Sequence, residues 1–279
     1  MKNKLINIFL ILALVAGLSL LLYPTVSDYW NSLHTSQAVA SYDQAVKSMD
    51  EGKYDELLQR AGQYNRDLFL RGSLFALTDE EREDYNSQLD IDGSGVMGYI
   101  EIPTIKVSLP IYHGTSEEVL MAGVGHLEGT SLPVGGASTH CVLTAHSGMR
   151  NLSMFDDIHS LEPGDLVLLH TMNKTLAYKV VDSEVVLPEE MESLTIEPGA
   201  DKVTLVTCTP YGVNDHRLLV HCVRTKYNKK DVDKQKSLAG RHWGKREFAV
   251  LIVVVAIVLL LLDIVIHAVR KYRKAKASA

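Results

Sequence analysis

The chain has 279 residues, a formal net charge of −6 and three cysteines. Such an acidic chain argues against a nucleic-acid-binding protein, because neutralising phosphates requires clustered lysine and arginine side chains. Three cysteines are too few, and odd in number, for a disulfide scaffold, so at least one thiol is expected to be free.

The chain begins with an apolar run, Leu5–Leu22, which follows Lys2 and Lys4. Its length lies between the hydrophobic part of a signal peptide and a full membrane span, and both interpretations remain open. A small-residue cleavage motif occurs only at Ala38-Val39-Ala40, well beyond the run, which favours an uncleaved anchor. We therefore predict a signal or anchor segment over residues 1–24.

A second apolar run, Phe248–Ile266, consists almost wholly of Val, Ile, Leu and Ala and is followed by a basic tail. This pattern predicts a transmembrane helix over residues 248–268 and a cytoplasmic tail over 269–279, with a buried core helix as the alternative. Because basic residues flank both runs on their outer sides, both chain ends are expected in the cytoplasm. The region between the runs would then lie outside the cell membrane.

Residues 25–95 are expected to form a mainly helical region. Apolar residues recur at roughly helical spacing over Asp28–Glu51, and Gly52 then indicates a helix stop. The same spacing continues more weakly over Tyr54–Leu70. A capping box at Thr78-Asp79-Glu80-Glu81 predicts the start of a further short helix.

From residue 96 the pattern changes to short, often alternating apolar runs that turn residues separate. These runs are Gly98–Ile102, Val107–Tyr112, His140–His146, Asp165–Thr171, Leu176–Val186, Lys202–Thr207 and Arg217–Thr225. Seven or eight short strands predict a mainly β domain over residues 96–226, either a closed or nearly closed barrel or a sandwich. Residues 227–247 are charged and polar, which predicts a tether.

Three polar side chains stand where predicted strands meet turns. Cys208 ends an apolar run, where a thiolate could attack a carbonyl, although buried structural cysteines are common in strands. His146 also ends a strand. An imidazole there is either a surface or core group with its hydrogen bonds satisfied, or an acid/base that protonates a leaving amine and deprotonates an incoming one. Arg217 begins a strand, where its guanidinium is either solvated or placed to stabilise an oxyanion.

The same region contains ligand types that suit zinc. The candidate ligands are His140, Cys141, His146, Cys208, His221 and Cys222. Adjacent strand residues point to opposite faces, so each His-Cys pair can offer only one ligand to a single site. Because the chain also has no C-x-x-C motif, a zinc site is the less favoured interpretation. We assign no metal ligand and expect no cofactor.

Several motifs occur together in an order that resembles the sortases. The motifs similar to the cysteine, arginine and histidine motifs of that family are TLVTC-TPYG at Thr204–Gly212, NDHRLLV at Asn214–Val220 and TAHSG at Thr144–Gly148. Those that resemble the class C, pilin-polymerising sortases of Gram-positive bacteria are MGYIEIPTI at Met97–Ile105, LPIYHGT at Leu109–Thr115 and GVGHLEGTSLPVGGASTH at Gly123–His140. The resemblance covers Met97–Arg224, and the flanks are similar in layout only.

The resemblance implies a sortase-type closed β-barrel of about eight strands, with N-terminal helices and two membrane-spanning helices. It further implies that Cys208 is the nucleophile that attacks the Thr–Gly bond of an LPXTG-type sorting signal, forming a thioester. His146 matches the acid/base group, and Arg217 the residue that holds the substrate and the oxyanion. A lysine amine of another pilin would then resolve the thioester into an isopeptide bond, without a metal.

One feature of many class C sortases, a lid with an Asp-Pro-aromatic motif, has no counterpart in the N-terminal region of this chain. Ser73, Leu74 and Phe75 could form a lid of different sequence, with Phe75 as the plug. The alternative within the family is a sortase that attaches surface proteins to cell-wall peptide. The alternatives from other classes are a non-catalytic, membrane-held binding domain and a zinc-stabilised domain.

Overall fold

The computed structural model describes residues 2–71, 77–149, 154–239 and 255. The possible lid residues, Ser73, Leu74 and Phe75, lie outside these ranges, as does the predicted transmembrane helix over 248–268 apart from Val255. Among the described residues, no helix is both long and apolar enough to span a membrane. The two membrane spans therefore stay predictions.

The contacts between residues divide the chain into two units, Met1–Lys236 and Ser237–Ala279. The strands described below all lie in the first unit.

The described helices are α1 (Lys2–Ser48), α2 (Glu51–Arg71), α3 (Asp79–Ser87), α4 (Glu117–Ala122) and α5 (Lys229–Ala239). Gly52 lies in the first turn of α2, so its predicted role as a helix stop is wrong. A glycine costs a helix only about 1 kcal/mol, which neighbouring turns offset. The predicted capping box is confirmed, since Thr78 and Glu81 each accept the other's backbone N–H at the start of α3. Helix α5 occupies part of the predicted tether.

Eight strands form a closed barrel. They are β1 (Val96–Ile102), β2 (Val107–His113), β3 (Val124–His126), β4 (Thr139–Thr144), β5 (Leu166–Thr171), β6 (Lys174–Val186), β7 (Asp201–Thr209) and β8 (His216–Thr225). Their order is β1-β2-β3-β4-β7-β8-β6-β5, and β5 closes the barrel on β1. The prediction of a closed barrel is confirmed. The pattern missed β3, whose three residues are all buried and so show no alternation.

The strands contribute side chains to a main core and to smaller apolar clusters. Val203 and Val220 belong to the main core inside the barrel. Val142 of β4 and Leu219 of β8 instead form a second cluster on the outer face, together with Leu194. Leu194 comes from the connection between β6 and β7, residues 187–200, which we call the β6–β7 segment. This segment therefore covers the outer face of the central strands.

Buried polar groups join the N-terminal helices to the barrel. The Asn65 amide of α2 donates to the Leu132 carbonyl at 3.2 Å, and its oxygen accepts from the Leu132 N–H at 2.7 Å. The Tyr85 hydroxyl of α3 lies 2.9 Å from Nδ1 of His126. Burial lowers the pKa of His126 to about 4, so this imidazole stays neutral, with Nε2 donating to the Ser131 carbonyl. The helices α2 and α3 are therefore part of the same packed unit as the barrel.

Replacing Asn65 by alanine should destabilise the protein by about 2–4 kcal/mol, because both backbone groups of Leu132 would lose buried partners. Denaturant unfolding of the full-length chain in detergent measures this change. The matched control is Gln63→Ala, on the same helix but exposed, for which a change within about 0.5 kcal/mol is expected. Equal stability of the two variants would contradict the proposed role of the Asn65 amide.

Candidate active site

Cys208 and Arg217 lie directly opposite each other in the antiparallel pair of β7 and β8. Residues that face each other in this way have Cβ atoms about 4.5–5.5 Å apart. Alternation along β7 places Cys208 on the same face as Val206, which packs against the outer apolar cluster. Both Cys208 and Arg217 are half-buried. The thiol and the guanidinium thus share the outer face at one end of the strands.

His146 reaches the same level through β4. This strand runs parallel to β7, with Thr144 opposite Val206. The pairing continues past the end of β4, since the Ala145 N–H donates to the Val206 carbonyl at 3.2 Å. Two residues beyond Thr144, the register brings His146 level with Cys208. Because neighbouring strands lie about 4.8 Å apart, the three predicted catalytic residues form one row across β4, β7 and β8.

The backbone around His146 is held on both sides by hydrogen bonds. The Ser147 hydroxyl donates to the Cys208 carbonyl at 2.7 Å, which joins the loop after β4 to the end of β7. The Phe155 N–H donates to the His146 carbonyl at 3.0 Å. Ser147 lies within the predicted histidine motif, but its role was not visible in the sequence, because its partner is 61 residues away.

Gly148 completes this loop. Its N–H donates to the Asp156 carboxylate at 2.5 Å. Its φ is +82°, and a Cβ at this position would meet the ring of Tyr211 at 3.2 Å. Only glycine combines this left-handed backbone with such a close approach of a neighbouring ring. The glycine of the TAHSG motif is thus required by the packing of the β7–β8 loop against the loop of His146.

Arg217 is held by the loop that precedes it. Its Nη1 donates to the Asn214 carbonyl at 3.2 Å and to the His216 carbonyl at 3.0 Å. Asn214 has a φ of +63°, a conformation that asparagine tolerates, and it turns the chain into β8. A guanidinium has five N–H donors. Within the described part of the chain, donors of Arg217 therefore remain for a substrate oxygen.

The other two cysteines lie inside the barrel. Cys141 and Cys222 are buried in the main core, and burial raises the pKa of both thiols well above the usual range. All three thiols are free, but only a thiolate attacks a carbonyl. Cys208 is the one among them that is half-buried and placed on the outer face. Its position suits a nucleophile, whereas the other two suit a core.

The placement of the candidate zinc ligands does not favour a metal site. Cys141 and Cys222 face the core, while His140 and His221 lie on the outer face with the Thr204 hydroxyl between them. The residues that the structure describes include no group of three or more His, Cys, Asp or Glu side chains that could hold a metal ion.

Comparison with known proteins gives one family. The Sortase domain model matches residues 100–225. The crystal structure of sortase C1 from Streptococcus agalactiae is 46% identical, with a TM-score of 0.68, and the match covers 69% of this chain and all of that one. A structure of Streptococcus pneumoniae sortase C is 38% identical, with a TM-score of 0.62 and coverage of 68% and 97%. A structure of Clostridium perfringens sortase C with the C-terminal cell wall sorting motif is 44% identical, with a TM-score of 0.61 and coverage of 69% and 100%.

Iodoacetamide should modify Cys208 in the native protein and leave Cys141 and Cys222 unmodified, because burial hinders access to these two and disfavours their thiolates. Peptide mass spectrometry of the full-length chain identifies the labelled position. The control is the same reaction in denaturant, in which all three cysteines should react. Labelling of Cys141 or Cys222 before Cys208 under native conditions would contradict this assignment.

Proposed function

Because this chain belongs to the sortase family, we propose that it is a pilin-polymerising transpeptidase. It cleaves an LPXTG-type sorting signal between Thr and Gly and transfers the Thr carbonyl to a lysine amine of another pilin. The observation that carries the proposal is the pairing of Cys208 with Arg217 on adjacent strands, with His146 two residues past the end of the neighbouring strand β4. Two similar structures support the substrate class. One is described in terms of pilin substrate specificity, and the other was determined with a C-terminal cell wall sorting motif.

The first half of the reaction forms a thioester. The Cys208 thiolate attacks the carbonyl carbon of the substrate Thr, and the carbonyl oxygen becomes an oxyanion. The Arg217 guanidinium, directly across from Cys208, donates N–H groups to this oxygen. His146, as an imidazolium, gives its proton to the nitrogen of the departing Gly as the peptide bond breaks. The Thr acyl group then remains on the sulfur of Cys208.

The second half transfers the acyl group. The ε-amine of an acceptor lysine attacks the thioester carbonyl, while neutral His146 removes a proton from the attacking nitrogen. The C–S bond breaks, Cys208 leaves as a thiolate, and an isopeptide bond has formed. The Ser147 and Phe155 hydrogen bonds keep the backbone of His146 in place through both halves. The same imidazole therefore serves first as acid and then as base.

We also propose that the enzyme acts at the outer surface of the cell membrane. The apolar runs Leu5–Leu22 and Phe248–Ile266 would each span the membrane, with both chain ends in the cytoplasm. A tether of this kind raises the local concentration of substrates that are themselves held at the membrane.

The acyl-enzyme tests the reaction directly. Incubation of the full-length chain with a peptide containing Leu-Pro-Glu-Thr-Gly should add the mass of the acyl fragment that ends in Thr, and Cys208 should carry it. Cys208→Ala should show no adduct, whereas the core variant Cys141→Ala should keep it. An adduct on another residue would overturn the mechanism. A product joined to cell-wall peptide, in place of pilin lysine, would support the alternative within the family.

Replacing His146 or Arg217 by alanine should lower the turnover of that peptide by at least about 100-fold, since each removes a group that acts in the transition state. Unfolding midpoints should stay close to wild type, because both side chains are half-buried at the edge of the fold. Arg224→Ala, at the far end of β8, serves as the matched control with turnover within about twofold of wild type. Unchanged turnover in either site variant would remove that residue from the mechanism.

A further inference from the structure

A second group of polar side chains lies on the outer face of the same strands, away from Cys208. Its members are His140 on β4, Thr204 on β7 and His221 on β8. Thr204 and His221 are cross-strand partners, as Cys208 and Arg217 are. Thr204 precedes Cys208 by four residues, so at about 3.3 Å per residue the two lie roughly 13 Å apart along the strand. The predicted reaction uses none of these three side chains.

These side chains form a continuous chain of hydrogen bonds. Nδ1 of His140 lies 3.0 Å from the Thr195 carbonyl oxygen, and its Nε2 lies 2.7 Å from Oγ1 of Thr204. The same Oγ1 lies 2.9 Å from Nδ1 of His221, whose Nε2 lies 3.1 Å from a Glu184 oxygen. We call His140, Thr204, His221 and Glu184 the relay.

The number of protons in the relay follows from its two ends. A carbonyl and a carboxylate can only accept, so Nδ1 of His140 and Nε2 of His221 must both carry hydrogen. The Thr204 hydroxyl has one proton and can give it to only one of the two ring nitrogens that face it. The other ring nitrogen must then be a donor. All four contacts are satisfied only when one of the imidazoles is doubly protonated.

Of the two imidazoles, His221 is the one that faces a carboxylate. His140 is fully buried, and burial lowers its pKa, which disfavours a charge there. His221 keeps 16% of its side chain exposed and contacts Glu184, whose pKa is lowered by hydrogen bonds from Ser193 and then His221. The other charged groups nearby are Asp182 of β6, Glu197 of the β6–β7 segment and Lys202 of β7. Carboxylates outnumber the single ammonium, which favours a cation at this position.

The relay holds the β6–β7 segment at two points. The Thr195 carbonyl binds His140, and Ser193 binds Glu184. Leu194, between these two residues, packs against Val142 and Leu219 in the outer cluster. Two polar contacts thus flank one apolar contact, and the position of the segment depends on all three.

The outer cluster connects this segment to the candidate active site. Val206 lies between Thr204 and Cys208 on the same face of β7 and packs against the cluster that contains Leu194. Met191 of the segment packs there as well. The segment therefore packs beside Val206, two residues before Cys208, and supplies none of the predicted catalytic residues. Loosening the segment would therefore change the affinity for a peptide more than the rate of the chemical steps.

We propose that the relay, carrying one proton more than its neutral state, positions the β6–β7 segment beside Cys208 and so sets the affinity for the bound peptide. The identity of that peptide rests on the proposed function, whereas the positioning of the segment does not. Thr204 is the central residue of the relay, because its hydroxyl both donates to one imidazole and accepts from the other. It is a positioning residue.

Thr204→Val tests the relay by removing the hydroxyl while preserving the shape of the side chain. In the full-length chain, amide hydrogen exchange over residues 187–200 should become at least 10-fold faster. KM for the Leu-Pro-Glu-Thr-Gly peptide should rise about 10-fold, with kcat within about twofold of wild type. Thr204→Ser, which keeps the hydroxyl, should restore both values. Thr175→Val, which removes a hydroxyl 3.1 Å from His170 at a distant position, is the matched control and should change neither.

Glu184→Gln provides a second variant at an exposed position, in case Thr204→Val does not fold. It removes the carboxylate that pairs with His221 and should shift exchange and KM in the same direction. Unchanged exchange over 187–200 in the folded variants would overturn the relay. Faster exchange with unchanged KM, or a fall in kcat alone, would overturn its link to peptide affinity. If the wild type does not process the peptide, the proposed function fails, and exchange still decides whether the relay positions the segment.

Discussion

The register of β4, β7 and β8 is the constraint on which the rest of the site depends. A shift of one residue would turn every side chain of a strand to the opposite face and move Cys208 from the outer face into the core. The antiparallel pair of β7 and β8 places Arg217 opposite Cys208. The parallel pair of β4 and β7 brings His146 to the same level from a segment more than 50 residues away in the chain. Strand pairing, not sequence proximity, therefore assembles the row.

The two faces of these strands have separate roles. The inner face buries apolar groups, among them Cys141 and Cys222, whose thiols burial keeps neutral. The outer face carries the row of Cys208 at one end and the relay at the other, with the apolar cluster of Val142, Leu194 and Leu219 between them. The inner face of these strands thus buries the core, and their outer face carries the candidate active site. The β6–β7 segment covers the outer face.

The N-terminal helices show how far the fold extends beyond the barrel. Asn65 replaces a strand neighbour for Leu132 by satisfying both of its backbone groups. The Tyr85 hydroxyl instead contacts a ring nitrogen of His126. Such buried polar contacts are worth most when every partner is present, because an unpaired group in a core costs about 1–3 kcal/mol. The predicted separation into a helical region and a barrel therefore describes the order of elements along the chain, while the packing unites them.

The sequence by itself determined the short strands, the capping box and the residues to examine, because strand alternation, turn residues and short motifs are local signals. The strand pattern left a barrel and a sandwich open, and the family resemblance pointed to the closed barrel. The sequence pattern misplaced a helix stop at Gly52 and missed β3, where local signals are weak. The tertiary structure alone decided which cysteine is accessible. It also decided that the Ser147 hydroxyl donates to the Cys208 carbonyl, and that the Thr204 hydroxyl lies within hydrogen-bond distance of two histidine rings. The physical reason is that these contacts join residues from different strands, and only the register of the folded sheet sets which side chains meet.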